Sequence, residues 1–162
     1  MPNEEIRVKY INTDFSILLI TKDELQEIRS EYSYSFEDIK LLNKSQKCIL
    51  DNKSFVSPNC CMQILFKLKG IVDVKIIKDN LAKITKNNPI LRTAFFIKEN
   101  ERSLQVILPD RSPAVIFLDY FKMKIDNIDY FLDDLLLAGQ RSGFNLKKDR
   151  LLRVRVIRFA AD

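Results

Sequence analysis

The sequence predicts an α+β fold, a two-layer sandwich in which a mixed, mainly antiparallel sheet is covered by helices. Three observations lead there. Apolar residues recur at helical spacing over 74–87 and 126–142: Val74, Ile77, Leu81 and Ile84 form one stripe, and Ile128, Phe131, Leu132, Leu135 and Ala138 another. Short apolar or alternating runs at 60–69, 91–98, 103–108, 114–120 and 151–159 read as strands. Between the second and third of these, Glu99-Asn100-Glu101-Arg102 suits a hairpin turn, which makes those neighbours antiparallel.

Residues 1–20 read as an extended lead-in ending in a short strand at 16–20. Thr21-Lys22-Asp23-Glu24 is a capping box, in which the hydroxyl accepts from the third helical N–H and Glu24 reaches back. The helix that follows turns Leu25, Ile28 and Tyr32 to one face. A polar loop and the segment 36–42 then lead to a short helix at 44–51. The expected organisation is therefore a lead-in over 1–35 and a lobe over 36–162. In the strand at 60–69, Met62, Ile64, Phe66 and Leu68 share a face; Gly70 closes it and Asp73 caps the next helix. Pro89 pushes Asn88 out of the helical region, so the chain breaks at Asn87-Asn88-Pro89 and a β-α-β unit is expected over 60–97. Pro109-Asp110-Arg111-Ser112-Pro113 reads as a turn. Asp126 is the expected cap of the last helix and Ser142-Gly143 its stop.

Composition narrows the chemistry. The 162 residues, 46% hydrophobic and 30% charged, suit one domain or one lobe of a larger one. The apolar run 15–20 is too short to span a bilayer and no secretory signal heads the chain, so a cytoplasmic protein is expected. Three cysteines without a C-x-x-C spacing fit reduced thiols rather than zinc or redox work. There is no histidine, which removes an imidazole base, any Ser-His or Cys-His pair and histidine metal ligands. Asp133 and Asp134 are helix neighbours that point different ways. Any chemistry here must use carboxylates or lysines, or be completed elsewhere, and no metal site is expected within this chain.

The stretch Asn87-Asn88-Pro89-Ile90-Leu91-Arg92-Thr93-Ala94-Phe95 resembles the second core motif of the condensation domains of nonribosomal peptide synthetases, of the form R-H-E/P-x-L-R-T-x-F. The run from Asn43 to Leu50 resembles the first motif, S-x-A-Q-x-R-L/M-W, through Gln46; Cys48 stands in place of Arg and Leu50 in place of the aromatic residue. Read simply as a surface helix, the same run would bury Ile49 and Leu50. Gly70-Ile71-Val72-Asp73 is similar to the family's G-x-(L/V)-D, and Gly143-Phe144-Asn145-Leu146 to its F-D-L turn, with Asn145 for Asp.

The resemblance runs from about Phe36 to Phe159 and implies the N-terminal lobe of a chloramphenicol-acetyltransferase-like fold, incomplete and ahead of the family's His-His-x-x-x-Asp-Gly signature. It implies that the full form makes amide bonds between carrier-tethered aminoacyl and peptidyl thioesters. No cofactor is then bound directly; carrier proteins bring phosphopantetheine arms. The implied partners are peptidyl or acyl carrier domains and the C-terminal lobe of the condensation domain. Carried over onto this sequence are Gln46, Pro89, Leu91, Arg92 and Thr93. Asn87 stands where the family has an arginine with a charge-pairing role. Arg92 has two readings, a local one in which it caps the strand or pairs with a nearby carboxylate, and a brace near the lobe interface.

The net charge is +5, and Lys147, Lys148 and Arg150, followed by Arg153, Arg155 and Arg158, crowd the C-terminal end. A solvated face is the plain reading. Lys147, Lys148 and Arg150 also suit docking to an acidic carrier, because complementary potentials speed encounter. A nucleic-acid partner is the third reading. Against it, alternation sends Arg153 and Arg155 away from Val154 and Val156, and no aromatic residue is interleaved before Phe159 to stack bases. The alternatives to a condensation lobe are thus a non-catalytic carrier-docking module and, behind it, a basic nucleic-acid-binding protein. No membrane association is expected.

Overall fold

A hairpin opens the structure: β1 (Val8–Ile11) runs antiparallel to β2 (Ile17–Ile20), with Val8 opposite Ile20 and Ile11 opposite Ile17. The computed structural model describes residues 8–11, 17–33, 35–51, 61–98 and 102–159. Helix α1 (Lys22–Glu31) follows, capped by Thr21, whose Oγ1 accepts from Glu24 N at 3.2 Å. The reciprocal half of the expected capping box is replaced. The buried Glu24 carboxylate accepts from Arg102 instead, with Nε at 3.1 Å and Nη2 on the other oxygen. A forked, charge-assisted pair outcompetes one backbone amide.

Strands β3 (Asp38–Leu41), β4 (Thr93–Phe96) and β5 (Leu104–Ile107) form an antiparallel sheet in the order β3-β5-β4. Val106 on the central strand lies opposite both Ile39 and Ala94. Leu25, Ile28 and Tyr32 of the α1 stripe share one core with Ile39, Phe96, Leu104 and Val106, and with Leu18 and Ile20 of β2. Ile28 has no exposed surface, a burial worth about 1.5–3 kcal/mol. The expected border at 35/36 falls between α1 and β3, two elements that share this core.

The helices expected to cover the sheet bury much less. The short helix α2 (Lys44–Asp51) has the bounds read from the sequence. In α3 (Val74–Asn87) the Asp73 carboxylate accepts from Lys75 N at 2.7 Å and Ile76 N at 3.3 Å, as the sequence implies. Of that helix only Thr85 is buried; Val74, Ile77 and Leu81 are half-buried and Ile84 is exposed. Helix α4 (Ile128–Ser142) is capped by Asn127, not Asp126: Asn127 Oδ1 accepts from Tyr130 N at 3.0 Å, three positions on, where a cap must reach. Its buried residue is Gly139, while Ala138 is exposed. The layer over the three-stranded sheet is therefore α1, and the α+β class stands.

A β-α-β unit does form, but among the described residues it is not the one expected over 60–97. Strands β6 (Ala114–Asp119) and β7 (Arg153–Arg158) are parallel, with Val115 opposite Val154, and α4 connects them. At the expected site Cys60 lies outside the described residues, and 61–69 pair with no strand among the described residues. Met62, Phe66 and Leu68 are exposed there. Alternation marks a chain able to be a half-buried strand, and a partner must still supply the ladder. Among the described residues, no helix is long and apolar enough to cross a membrane.

Candidate functional site

The strongest motif begins where α3 ends. Asn88 adopts an extended conformation, its backbone N–H donates to Thr85 O at 3.3 Å and its side-chain amide to Ile84 O at 2.7 Å. Pro89 then opens a 3-10 turn, Pro89–Arg92, in which Leu91 N donates to Asn88 O at 3.0 Å. Proline suits this place because its fixed φ fits the first turn and its missing N–H is not needed there. The turn uses up four residues, so the strand expected from Leu91 starts at Thr93.

The same turn swings Arg92 inward. It is 5% exposed. Its Nε donates to Thr85 O at 3.2 Å, and Nη1 reaches the carbonyls of Leu108 and Pro109 and lies 2.7 Å from Glu37 Oε2. Leu108 N closes the loop by donating to Arg92 O at 3.1 Å. One guanidinium therefore fastens the end of α3, the start of β4, the exit of β5 and the approach to β3. Of its two sequence readings, the carboxylate pairing is present in the structure, extended by three carbonyl contacts.

Thr93 is buried, and its carbonyl accepts from Arg111 Nη1 at 2.7 Å. Gln46 reaches the same sheet from the start of α2. Gln46 Oε1 accepts from Asn43 N at 3.0 Å while Gln46 N donates to Asn43 Oδ1 at 2.8 Å, a reciprocal pair at the start of α2. The same Oε1 accepts from Gln105 Nε2 at 2.7 Å, and that amide also donates to Leu41 O at 3.0 Å. Ile49, expected inside on the surface-helix reading, is exposed. Gln46 and Thr93 thus meet the same central strand two residues apart, through Gln105 and through the pairing of Thr93 with Ile107. Leu91 is half-buried, while Asn87 and Pro89 remain exposed at the turn and are not drawn into this cluster.

Lys147, Lys148 and Arg150 occupy a separate place. The turn that carries them is held by Asn145, whose Oδ1 accepts from Lys147 N and Lys148 N, each at 3.1 Å. Asn145 N donates to Asp149 Oδ2 at 2.8 Å. An asparagine oxygen is enough for this turn, so the departure from the family's Asp does not disturb it. Gly143, the stop of α4, has a φ of 52°, a conformation that favours glycine. Arg153 stacks on the Phe144 ring at 4.1 Å and donates to Gly143 O. Leu146 O accepts from Phe95 N at 3.0 Å, which fastens the turn to the outer edge of β4.

The three basic residues line one wall of an open cleft of about 730 Å³. Arg111 and Tyr32 line the same cleft, and sequence reasoning missed both. Arg111 lies between prolines in a stretch that reads as a turn, and it is 5% exposed. Its only advance signal was a cation next to two apolar strands. Arg158, grouped by sequence with the basic cluster, is engaged elsewhere, paired with Asp119 and placed over the Phe121 ring at 5.4 Å. Among the described residues, no group of three or more His, Cys, Asp and Glu could hold a metal ion.

A family model described as "Condensation domain" matches residues 22–162. The chain is 28% identical over 156 residues to a protein of the mycosubtilin synthase of Bacillus subtilis, covering 94% of this chain and 6% of that protein. It is 27% identical over 150 residues to bacitracin synthase 3 of Bacillus licheniformis, covering 91% of this chain and 2% of that protein. Against bacitracin synthase 1 of the same organism the identity is 28% over 151 residues, 91% of this chain and 3% of that protein. The chain thus spans a small fraction of the curated relatives it matches. With the family match running from α1 through β7 and over the Leu91-Arg92-Thr93 turn, the chain belongs to the condensation domain family.

Proposed function

We propose that this chain is the N-terminal part of a condensation domain of a nonribosomal peptide synthetase, whose full form joins carrier-tethered aminoacyl and peptidyl thioesters through an amide bond. The observation that carries this reading is the family match over residues 22–162, with the Leu91-Arg92-Thr93 motif built into the sheet framework. The residues present supply framework and surface rather than proton transfer, since the chain has no histidine. The nucleophilic step then uses an imidazole of the family's signature, and this stretch forms one wall of the substrate tunnel. The phosphopantetheine arms belong to the carriers. Asn87, exposed at the end of α3, does not provide the cation that the family places there.

The test is condensation by the intact protein, supplied with two loaded carrier proteins and read by mass spectrometry of the acceptor carrier. A peptidyl product on the acceptor is expected. Absence of product with every loaded pair, from a folded protein containing the signature histidines, overturns the reading.

A docking role for Lys147, Lys148 and Arg150 has its own support, because all three line the same cleft. Binding of an acidic carrier is then expected to weaken steeply with salt. Binding that is indifferent to salt, or unchanged when all three are replaced by alanine, removes these residues from the docking surface.

A further inference from the structure

The cleft that carries those basic residues has an inner wall that family membership does not explain. Arg111 is 5% exposed and Tyr32 9% exposed, and both face it. Arg111 Nη1 donates to Thr93 O at 2.7 Å, and Arg111 forms no ion pair among the described residues. The Tyr32 hydroxyl is buried and has no hydrogen-bond partner among the described residues. Buried guanidinium and hydroxyl groups are ordinarily satisfied, so two under-used donors on one wall indicate a missing acceptor.

The other groups around the cleft define that acceptor. Lys147, Lys148, Arg150 and Arg153 add four cations. Three carboxylates face it as well, and two of them pair with these cations, Glu31 with Lys147 at 3.7 Å and Asp149 with Arg153 at 3.4 Å, while Asp110 accepts from Ser112 N at 3.5 Å; Arg111, Lys148 and Arg150 have no ion-pair partner among the described residues. Burial, and after it the Glu31 charge, pushes the Tyr32 hydroxyl above its ordinary range, so it remains a protonated donor. Leu108 and Ala114 supply an apolar flank that shields the donors from water. Buried donors, more cations than carboxylates and a planar fork describe a receptor for an acceptor-only, multiply charged group.

We infer that this cleft binds an oxyanion of the phosphate class, held by the Arg111 guanidinium and the Tyr32 hydroxyl and surrounded by Lys147, Lys148 and Arg150. The inference stands on the cleft and not on the proposed condensation activity, and binding is measured without turnover. The phosphate can come from free inorganic phosphate or from a phosphate ester such as a pantetheine arm.

The test is calorimetric titration of the intact protein, at fixed ionic strength, with inorganic phosphate and separately with 4′-phosphopantetheine. Saturable binding of at least one is expected, weakened about tenfold or more by Arg111→Gln and several-fold by Tyr32→Phe. Tighter binding of 4′-phosphopantetheine identifies the ester as the source, and equal affinity identifies the phosphate alone. If Arg111→Gln does not fold, Arg111→Lys preserves the charge, removes the fork and is expected to weaken binding as well. No saturable binding of either ligand, or binding unchanged in both Tyr32→Phe and the folded Arg111 variant, overturns the inference. Failure of condensation with phosphate binding intact leaves this site standing.

Discussion

Gln46 Oε1 lies 2.7 Å from Gln105 Nε2, and this contact ties the first turn of α2 to the central strand of the three-stranded sheet. Gln105 is buried on β5, so its amide needs acceptors inside the protein and finds two, Leu41 O and Gln46. Gln46 is thus a framework residue even before any role in chemistry. Gln46→Ala should cost about 1–2 kcal/mol, the loss of one buried acceptor and one helix-start contact. Gln46→Glu keeps the acceptor and should cost less. Urea unfolding of both variants checks the order.

Arg92 gives the sharper stability test. Replacement by Met removes the guanidinium donor from the carbonyls of Leu108 and Pro109, leaves Thr85 O with the Asn88 N–H alone, and should cost about 2–4 kcal/mol. Glu37, its carboxylate partner, is 46% exposed, so Glu37→Gln should cost under about 1 kcal/mol after solvent screening. Equal losses in the two variants would mean that the ion pair, and not the carbonyl contacts, holds this joint.

The cap of α4 can be settled by two alanines. Asn127→Ala should destabilise by about 1 kcal/mol, and Asp126→Ala by only a few tenths. Thermal unfolding at neutral pH reads the difference, and the reverse ranking would return the cap to Asp126.

Asp119 carries a pH signature. Its hydrogen bond to Arg158, then one from Phe121 N, holds its carboxyl below the ordinary value of 3.8. A carboxyl depressed in the folded state stabilises fully above that value and loses the contribution as pH falls through the folded one. Asp119→Asn should therefore be slightly less stable than the parent at neutral pH, with the gap closing at acid pH. Both partners are exposed, so the gap should shrink with added salt.

The helices were the most legible part of the fold because their signals are local. Thr21 and Asp73 announce their caps and Asn88-Pro89 a break, each within four residues of the backbone groups concerned. Strand pairing is not local. The run 61–69 has the alternation of a strand and no partner among the described residues, while 114–119 and 153–158, much alike in pattern, found each other across α4. The motif residues Gln46, Arg92 and Thr93 could be picked out by resemblance, but their partners could not. Gln105, Glu37 and Arg111 lie far away along the chain, and nothing in their immediate neighbours marks them as buried or paired. Arg111 shows the limit most clearly, because a charge between two prolines looks wet until the fold closes over it.

The Phe95 amide is already committed to Leu146 O on the outer side of β4. That rung would otherwise invite a foreign strand, and its occupation blunts the β4 edge of the three-stranded layer. Lateral growth of this layer past β4, whether by another stretch of polypeptide or by a second molecule in a concentrated solution, must first displace the Leu146 carbonyl. A crosslinker placed on the outer side of β4 should therefore capture no neighbour.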